Sequence, residues 1–385
     1  MKTYTPSNST LSAWKTLAGI VAWLWLGIAT SQVHAQSVVD GFDPSAEWPV
    51  FALALQTDGK ILVGGNFRRI AGQQRAYLAR LNVDGSLDTG FANTSLDAAV
   101  RAIAIQPDGK ILVGGYFRNS GATSRNRILR LNSNGGIDAG FDPGTGADGP
   151  AVYALAVQGD GKIVMAGVFK AVNGQTRSNL ARLNSNGTVD SSFAPSVDGR
   201  ILALSLDAAG KIVIGGGFSS VHSQIRNNLA RLNSDGSLDA SFDPNANGSV
   251  ESLLRQTDGK WVVGGTFTVL GGVARNRIAR LNADASLDST FTPSANSNVL
   301  ALAQQADGKI LVAGLFSRIS QATNNYTRNR IARLLTSGAV DTDFSLDVDN
   351  GVFAVLAYAD GSRTLIGGNF ESVAGQTRKF LARLQ

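Results

Sequence analysis

The stretch VRAIAIQPDGKILVGGYFRNSGATSRNRILRLNSNGGIDAGF, residues 100–141, is one copy of a unit that recurs along the chain. Asp108-Gly109 and Asn134-Gly135 are two-residue turns of the kind that β-hairpins favour. Between and around them lie four strand-like pieces, which we label A to D. These pieces are residues 100–106, 111–117, 127–132 and 137–141. The unit is therefore predicted to form four short antiparallel strands.

The unit is repeated seven times with a period of about 50 residues. The copies begin near residues 50, 100, 152, 201, 250, 299 and 352. A turn glycine marks every copy, at Gly59, Gly109, Gly161, Gly210, Gly259, Gly308 and Gly361. Four antiparallel strands in about 50 residues make one blade of a β-propeller. The predicted fold class is therefore an all-β, seven-bladed β-propeller with four antiparallel strands per blade.

The ends of the repeat region predict how the array is completed. The last copy stops after piece C, at Arg383-Leu384-Gln385, whereas residues 38–42 precede the first copy and resemble piece D. If these ends share one sheet, they complete the last blade, close the ring and leave no free sheet edge. The alternative is an open β-solenoid, which would need polar capping repeats that are not visible. In residues 38–42, Val39 stands where the other copies have aspartate.

Strand A is expected to be innermost, because residues 38–42 would supply the outermost strand D of the last blade. One strand A position carries small residues, as expected for strands that converge on an axis. They are Ala52, Ala102, Ala154, Ala203, Ser252, Ala301 and Ala354. The glycines of strand B are expected to let a neighbouring blade approach closely.

Residues 1–35 are interpreted as a secretory signal peptide. Lys2 and Lys15 provide positive charge, residues 17–28 are apolar, and Val33-His34-Ala35 offers a small-residue cleavage site. Cleavage would leave residues 36–385 as the propeller, with Gln36 first. An uncleaved membrane anchor is the alternative, although the apolar run is short for a membrane span. We expect a secreted, periplasmic or cell-surface protein without a membrane span after cleavage.

The composition excludes several classes of function. The formal net charge is +6, and the basic residues are evenly spread, so a nucleic-acid partner is not expected. There is no cysteine, and His222 is the only histidine after the leader. A Cys–His nucleophile and a His/Cys metal cluster are therefore ruled out. We expect no cofactor and no metal.

A family resemblance follows from the repeat itself. The pattern DGKILVGG-x-F, then R-x-x-x-ARLN-x-DG-x-LD-x-x-F, resembles the bacterial delta-60-type β-propeller repeat. The resemblance covers essentially the whole chain after the leader. It implies a propeller in an exported bacterial protein, and it implies no reaction. The sequence departs from the pattern at Ala208-Ala209-Gly210, which replaces the Asp-Gly turn.

Two arginines in every copy are the most frequent polar feature. The first series is Arg75, Arg125, Arg177, Arg226, Arg275, Arg328 and Arg378, and the second is Arg80, Arg130, Arg182, Arg231, Arg280, Arg333 and Arg383. They could form a ring that binds polyanions. We favour a structural ladder of arginine–aspartate or arginine–carbonyl bonds, because a sevenfold feature is what a repeated fold requires.

Candidate ligand-binding residues lie at one position of strand A that differs from copy to copy, next to a position that is β-branched in every copy. Next to a β-branched residue at the start of strand A, the copies carry Phe51, Arg101, Tyr153, Leu202, Glu251, Leu300 and Phe353. We expect this position to lie at the mouth of the central channel, on the face that carries the D–A and B–C loops. The predicted binding residues are Trp48, Phe51, Arg101, Tyr153, Arg200, Glu251 and Phe353. Such a mixture suits a glycan or a peptide.

Three functions remain open on sequence grounds. The first is a non-catalytic binding propeller that engages an extracellular glycan or a surface protein, and we expect it to be a monomer. The second is a glycan-active hydrolase or lyase that uses a pair of loop carboxylates. The third is a purely structural cell-surface module. The acids available for the second are Glu47, Asp97, Asp148, Asp198, Glu251 and Asp347.

Overall fold

The computed structural model describes residues 38 and 40–385, and these contain strands, turns and loops but no helix. The predicted signal peptide, residues 1–35, lies outside the described residues. Each of the seven repeats forms one antiparallel sheet in which strand B lies between strands A and C. The all-β propeller prediction is therefore confirmed.

The strand bounds are nearly the same in every blade. Strand A spans Val50–Leu55, Val100–Ile105, Ala151–Val157, Arg200–Leu206, Val250–Arg255, Val299–Gln304 and Val352–Ala357. Strand B spans Ile61–Gly65, Ile111–Gly115, Ile163–Val168, Ile212–Gly217, Trp261–Gly265, Ile310–Gly314 and Thr364–Gly368. Strand C spans Leu78–Leu81, Ile128–Leu131, Leu180–Leu183, Leu229–Leu232, Ile278–Leu281, Ile331–Leu334 and Leu381–Leu384.

Strand D is shorter than the sequence predicts. It meets strand C through a single bridge, as between Leu131 and Ile137 in the second blade. The chain then turns, because the side chain of Asp138 accepts a hydrogen bond from the backbone N–H of Gly140. The same aspartate turn recurs in the other blades and ends the pairing after one residue.

The B–C loops are ordered hairpins, which the sequence did not predict. Their strands are Arg69–Ile70 with Gln73–Gln74, Asn119–Ser120 with Thr123–Ser124, Ala171–Val172 with Gln175–Thr176, Ser220–Val221 with Gln224–Ile225, Val269–Leu270 with Val273–Ala274, Arg318–Gln321 with Asn324–Thr327, and Ser372–Val373 with Gln376–Thr377. Each D–A loop pairs with the hairpin of the following B–C loop, most extensively through the short strand Ser294–Ala295 in the sixth blade. The loop face is therefore held by backbone hydrogen bonds.

The inner strands form a closed ring. Strand A of each blade contacts strand A of the next, and that of the seventh blade contacts that of the first. A Cβ atom placed on Gly64 would lie 2.5 Å from Val100 Cγ1 of the next blade, and one on Gly367 would lie 2.5 Å from Val50 Cγ1. These glycines thus permit close packing between blades, as expected. Seven apolar clusters fill the interfaces between neighbouring blades.

The segment before the first blade packs into the last one. The side chains of Val38 and Phe42 are 1% and 0% exposed, and Arg378 Nη2 donates to the Val38 carbonyl over 2.8 Å. Asp40, and not Val39, takes the place of the strand D aspartate: it accepts from Arg383 Nε and from the Phe42 backbone N–H. Val39, which the sequence alignment matched to that aspartate, lies outside the described residues. The sequence alignment was wrong here because Asp40 lies two residues before Phe42, whereas the aspartate of the other copies lies three residues before the phenylalanine, as Asp138 does before Phe141.

The second arginine series is a structural ladder. Arg130 Nε donates to Asp138 over 2.7 Å, Lys110 lies 3.0 Å from the same carboxylate oxygen, and the guanidinium packs 4.7 Å from the centre of the Phe141 ring. In six blades the same arginine also donates to a backbone carbonyl of the next blade. Arg130 is 6% exposed. These arginines are therefore buried ties between blades and do not form a polyanion-binding surface.

Candidate functional site

The residues of the variable strand A position are all bulge residues. In every blade the register between strands A and B shifts at this position, so that Arg101, for example, pairs with no residue of strand B. A bulge adds one unpaired residue to a strand and redirects its side chain. Because the side chain is released from the sheet, the core places little constraint on its identity. This explains why the position varies while its neighbours do not.

The seven bulge residues converge on one cavity of about 240 Å³ at the mouth of the channel, which we call the mouth cavity. It is lined by Phe51, Arg101, Tyr153, Leu202, Glu251, Leu300 and Phe353. All seven side chains are partly buried. The structure thus brings together five of the seven residues that the sequence predicted for the binding site, and adds two leucines from the same position.

Arg101 is held by aromatic rings. Its guanidinium carbon lies 4.4 Å from the centre of the Phe51 ring and 5.6 Å from that of Tyr153. Within the described part of the chain its side chain makes no ion pair and no hydrogen bond, whereas the arginines of the ladder each pair with an aspartate. A cation–π contact supplies no hydrogen-bond acceptor in the ordinary sense, so the N–H donors of Arg101 are without an acceptor among the described residues.

The aromatic residues form the walls of the cavity. The Phe51 and Phe353 rings lie 5.8 Å apart, centre to centre, at an angle of 34°. The Tyr153 hydroxyl hydrogen-bonds with that of Tyr116 over 3.2 Å, and the two rings meet edge to face. Burial, together with the bond to Tyr116, raises the pKa of Tyr153 to about 12. Tyr153 is therefore a neutral phenol at physiological pH.

Glu251 is the only carboxylate among the seven residues that line the cavity. Burial raises the pKa of its carboxyl group, and the positive charges of Arg200 and Arg101 offset this only in part. No ion pair or hydrogen bond to the described residues is formed by its side chain. A partly buried carboxylate without a partner is costly, and such groups cluster at functional sites.

Arg200 and Trp48 lie outside the mouth cavity. Arg200 lines a neighbouring groove of about 780 Å³ between the third and fourth blades, and its charge acts on both Tyr153 and Glu251. Trp48 is 56% exposed and lines a separate groove of about 450 Å³. The predicted binding role of both residues stays a prediction.

Three of the loop acids tie the loops together. The carboxylate of Asp97 accepts from the backbone N–H groups of Arg118 and Asn119, and Asp148 and Asp198 make the equivalent bonds in the next two blades. Burial alone would raise the pKa of Asp198, but the hydrogen bonds from Ser219 and Ser220 outweigh it and lower the pKa to about 2. These three acids cap the loops, and none of them lines the mouth cavity, where Glu251 is the only acid among the lining residues.

Tyr116 is a residue of the site that sequence reasoning missed. It lies between the fixed glycine and phenylalanine at the end of strand B, a position that also varies: Asn66, Tyr116, Val168, Gly217, Thr266, Leu315 and Asn369. This variation was the available signal. Leu315, from the same position, lies near the ring of Phe353, because a Cβ atom on Gly351 would contact both.

Neither a metal site nor a membrane-spanning helix is found in residues 38 and 40–385. No group of three or more histidine, aspartate or glutamate side chains there could hold a metal ion. No helix in that part of the chain is long and apolar enough to cross a bilayer.

Comparison with known proteins supports the fold. The repeats match the model of a family described as "Domain of unknown function (DUF5122) beta-propeller", over residues 56–91, 106–141, 158–193, 210–242, 256–291, 305–344 and 360–385. No curated protein matches the sequence.

Among solved structures, the WD40 β-propeller domain of Doa1 is similar, with 12% identity over 90% of this chain and 96% of that one and a TM-score of 0.56. A streptogramin B lyase is similar with 14% identity over 89% and 96% and a TM-score of 0.55. At these identities the likeness is one of fold alone.

Proposed function

The chain belongs to the DUF5122 β-propeller family, and we propose that it is a non-catalytic binding protein that engages a carbohydrate or protein ligand at the mouth cavity. One observation carries the proposal. The seven bulge residues, which the fold leaves free to vary, surround one cavity in which Arg101 and Glu251 have no partner among the described residues. Charged groups that are partly buried and unpaired are costly to stability, and a ligand that pairs with them offsets that cost.

The rigidity of the loop face supports binding. The D–A loops are bonded to the B–C hairpins through backbone bridges and through Asp97, Asp148 and Asp198. A site on such a scaffold loses little conformational entropy when a ligand binds.

We further propose that the protein is exported, as the resemblance to the bacterial delta-60-type repeat implies, and that it acts as a monomer outside the cytoplasm. The leader composition supports export. The absence of cysteine does not argue against export, because a large closed ring of sheets can be stable without disulfides.

A glycan-active hydrolase or lyase is the second candidate, and one observation favours it. The raised pKa of Glu251 is what a general acid needs. The usual glycosidase mechanism requires two carboxyl groups, and Glu251 is the only carboxylate that lines the mouth cavity. Mass spectrometry of a bound ligand after prolonged incubation with the protein would separate the two candidates. Cleavage of the ligand by the wild-type protein, and no cleavage by Glu251→Gln, would establish the enzyme.

The binding proposal is tested by probing arrays of glycans and peptides with the exported protein. We expect a ligand whose affinity falls about tenfold or more in Tyr153→Ala and in Phe51→Ala. Ile225→Ser is the control, because Ile225 is 74% exposed on a B–C hairpin outside the mouth cavity. Trp48→Ala reports whether the separate groove contributes. Full affinity in both mouth variants, or no ligand on either array, would overturn the proposal.

A further inference from the structure

Resting on the proposed binding function, we propose that the mouth cavity recognises an acidic sugar: the carboxylate of one uronic acid residue binds in the plane of Arg101, and its ring lies against Phe51 and Phe353. The size of the cavity supports recognition of a single residue. Its volume of about 240 Å³ is below the roughly 300–1,000 Å³ of pockets that enclose a whole drug-sized ligand. One residue of a longer chain would enter, and the rest would lie on the loop face.

The state of Arg101 indicates an anionic partner. Its position is fixed by the rings of Phe51 and Tyr153, at 4.4 and 5.6 Å, and no carboxylate of the described residues lies within 4.0 Å of it. A guanidinium carries pairs of parallel N–H donors, and these match the two oxygens of a carboxylate. A singly charged group suits the cavity better than a phosphate dianion, because Glu251 lies in the same cavity.

The remaining wall suits a sugar ring. Phe51, Phe353 and Leu300 come from three consecutive blades and line the cavity together, with the two phenylalanine rings 5.8 Å apart. One face of a pyranose ring exposes C–H groups, whose positive edges are attracted to the negative face of an aromatic ring. The surface can therefore hold the ring while its substituents point to the polar side of the cavity.

The polar side offers partners for several hydroxyl groups. Glu251 has two carboxylate oxygens with no donor from the described residues, and the Tyr153–Tyr116 hydroxyl pair can donate or accept. A peptide with an apolar C-terminal residue would satisfy Arg101 and the apolar wall. It would bring only one backbone N–H close to Glu251, so most of the acceptor capacity of that carboxylate would stay unused. A polyhydroxylated acid uses all the groups.

The test is calorimetric titration of the exported protein with trimers of galacturonic, glucuronic, mannuronic and guluronic acid. Each trimer is compared with the neutral sugar trimer of the same linkage, in which a CH₂OH group replaces the carboxylate. We expect at least one uronic acid trimer to bind about tenfold or more tightly than its neutral counterpart. In Arg101→Gln this preference should fall to about twofold or less.

Arg318→Gln is the matched control, because Arg318 is an exposed arginine on a B–C hairpin of the same face and makes no side-chain bond with the described residues. It should keep the preference, which excludes a general effect of charge. Equal binding of acidic and neutral trimers, or a preference that survives Arg101→Gln, would overturn the acidic-sugar inference while leaving the binding function intact. Binding of an apolar peptide that depends on Arg101, without binding of any uronic acid, would do the same. Failure of every ligand on the arrays would instead overturn the binding function.

Discussion

Arg383 donates a hydrogen bond from Nε to the carboxylate of Asp40, so the last strand of the chain is joined to the segment that precedes the first blade. The Arg383 guanidinium also lies 4.5 Å from the centre of the Phe42 ring and donates to the Val83 carbonyl in the first blade. The same set of contacts links five of the other six blades to the blade that follows, as Arg130 does in the second blade. The closure of the ring is therefore the seventh copy of the ladder.

Removing the Phe42 ring should destabilise the protein as much as removing the corresponding phenylalanine ring of another blade. Phe42 is fully buried between the seventh and first blades. Phe42→Ala should lower the free energy of unfolding by about 3–5 kcal/mol through lost burial and a cavity. Reversible denaturation in urea is the measurement, and Phe242→Ala, which removes the corresponding ring of an interior blade, is the reference. A Phe42→Ala variant that unfolds at the wild-type urea concentration would contradict the closure.

The ladder predicts a loss of stability in acid. Burial alone would raise the pKa of Asp138, but bonds from Lys110, Gly140 and Arg130 outweigh it and lower the pKa from 3.8 to about 2. Because the folded-state pKa is the lower one, the contribution of Asp138 is fully present above about pH 4 and is lost as the pH falls through about 2. Asp138→Asn should cost about 3–5 kcal/mol at neutral pH, since it breaks a buried pair, and much less near pH 2.

The exposed Asp108 of the same blade provides the control for that measurement. At each pH, the melting temperature of Asp108→Asn should lie within about 2 °C of the wild-type value at the same pH. An Asp138→Asn penalty that is the same at pH 2 and pH 7 would show that the ion pair contributes no pH-dependent stability.

Much of this architecture could be predicted because it repeats. The number of blades, the place of the chain ends and the position of the mouth residues all follow from comparing seven copies. The sequence could not identify Asp40 as the strand D aspartate, because Asp40 lies one residue closer to Phe42 than Asp138 lies to Phe141. Despite this shorter spacing, Asp40 makes the same hydrogen bonds as the aspartates of the other blades. The role of Asp97 depends on a B–C hairpin that its polar sequence did not indicate.

Glu251 should reduce stability at neutral pH. Its folded-state pKa is raised by burial, so the folded protein binds a proton more readily than the unfolded chain, and stability falls as the pH rises from about 4.5 through that raised value. Arg101 and Arg200 reduce this penalty, and Tyr153, which lines the same cavity, is neutral. Glu251→Gln should raise the melting temperature by about 1–2 °C at pH 7 and by less at pH 4. A lower melting temperature at pH 7 would mean that Glu251 has a stabilising partner.

Export predicts a defined N-terminus. If residues 1–35 are removed after Ala35, intact-mass measurement of the protein recovered outside the cytoplasm should give a chain that begins at Gln36. Changing the residue at the cleavage site with Ala35→Pro should block processing and leave the longer chain. Recovery of the unprocessed wild-type protein in the membrane fraction would favour the uncleaved anchor.

The most direct test of the binding site is a crystal structure of the protein with the tightest ligand from the arrays or titrations. We predict electron density for one ligand residue in the mouth cavity, with an anionic group in the plane of the Arg101 guanidinium and a ring or apolar face against Phe51 and Phe353. Density only in the groove beside Trp48, or elsewhere on the loop face with the mouth cavity holding solvent, would contradict the account.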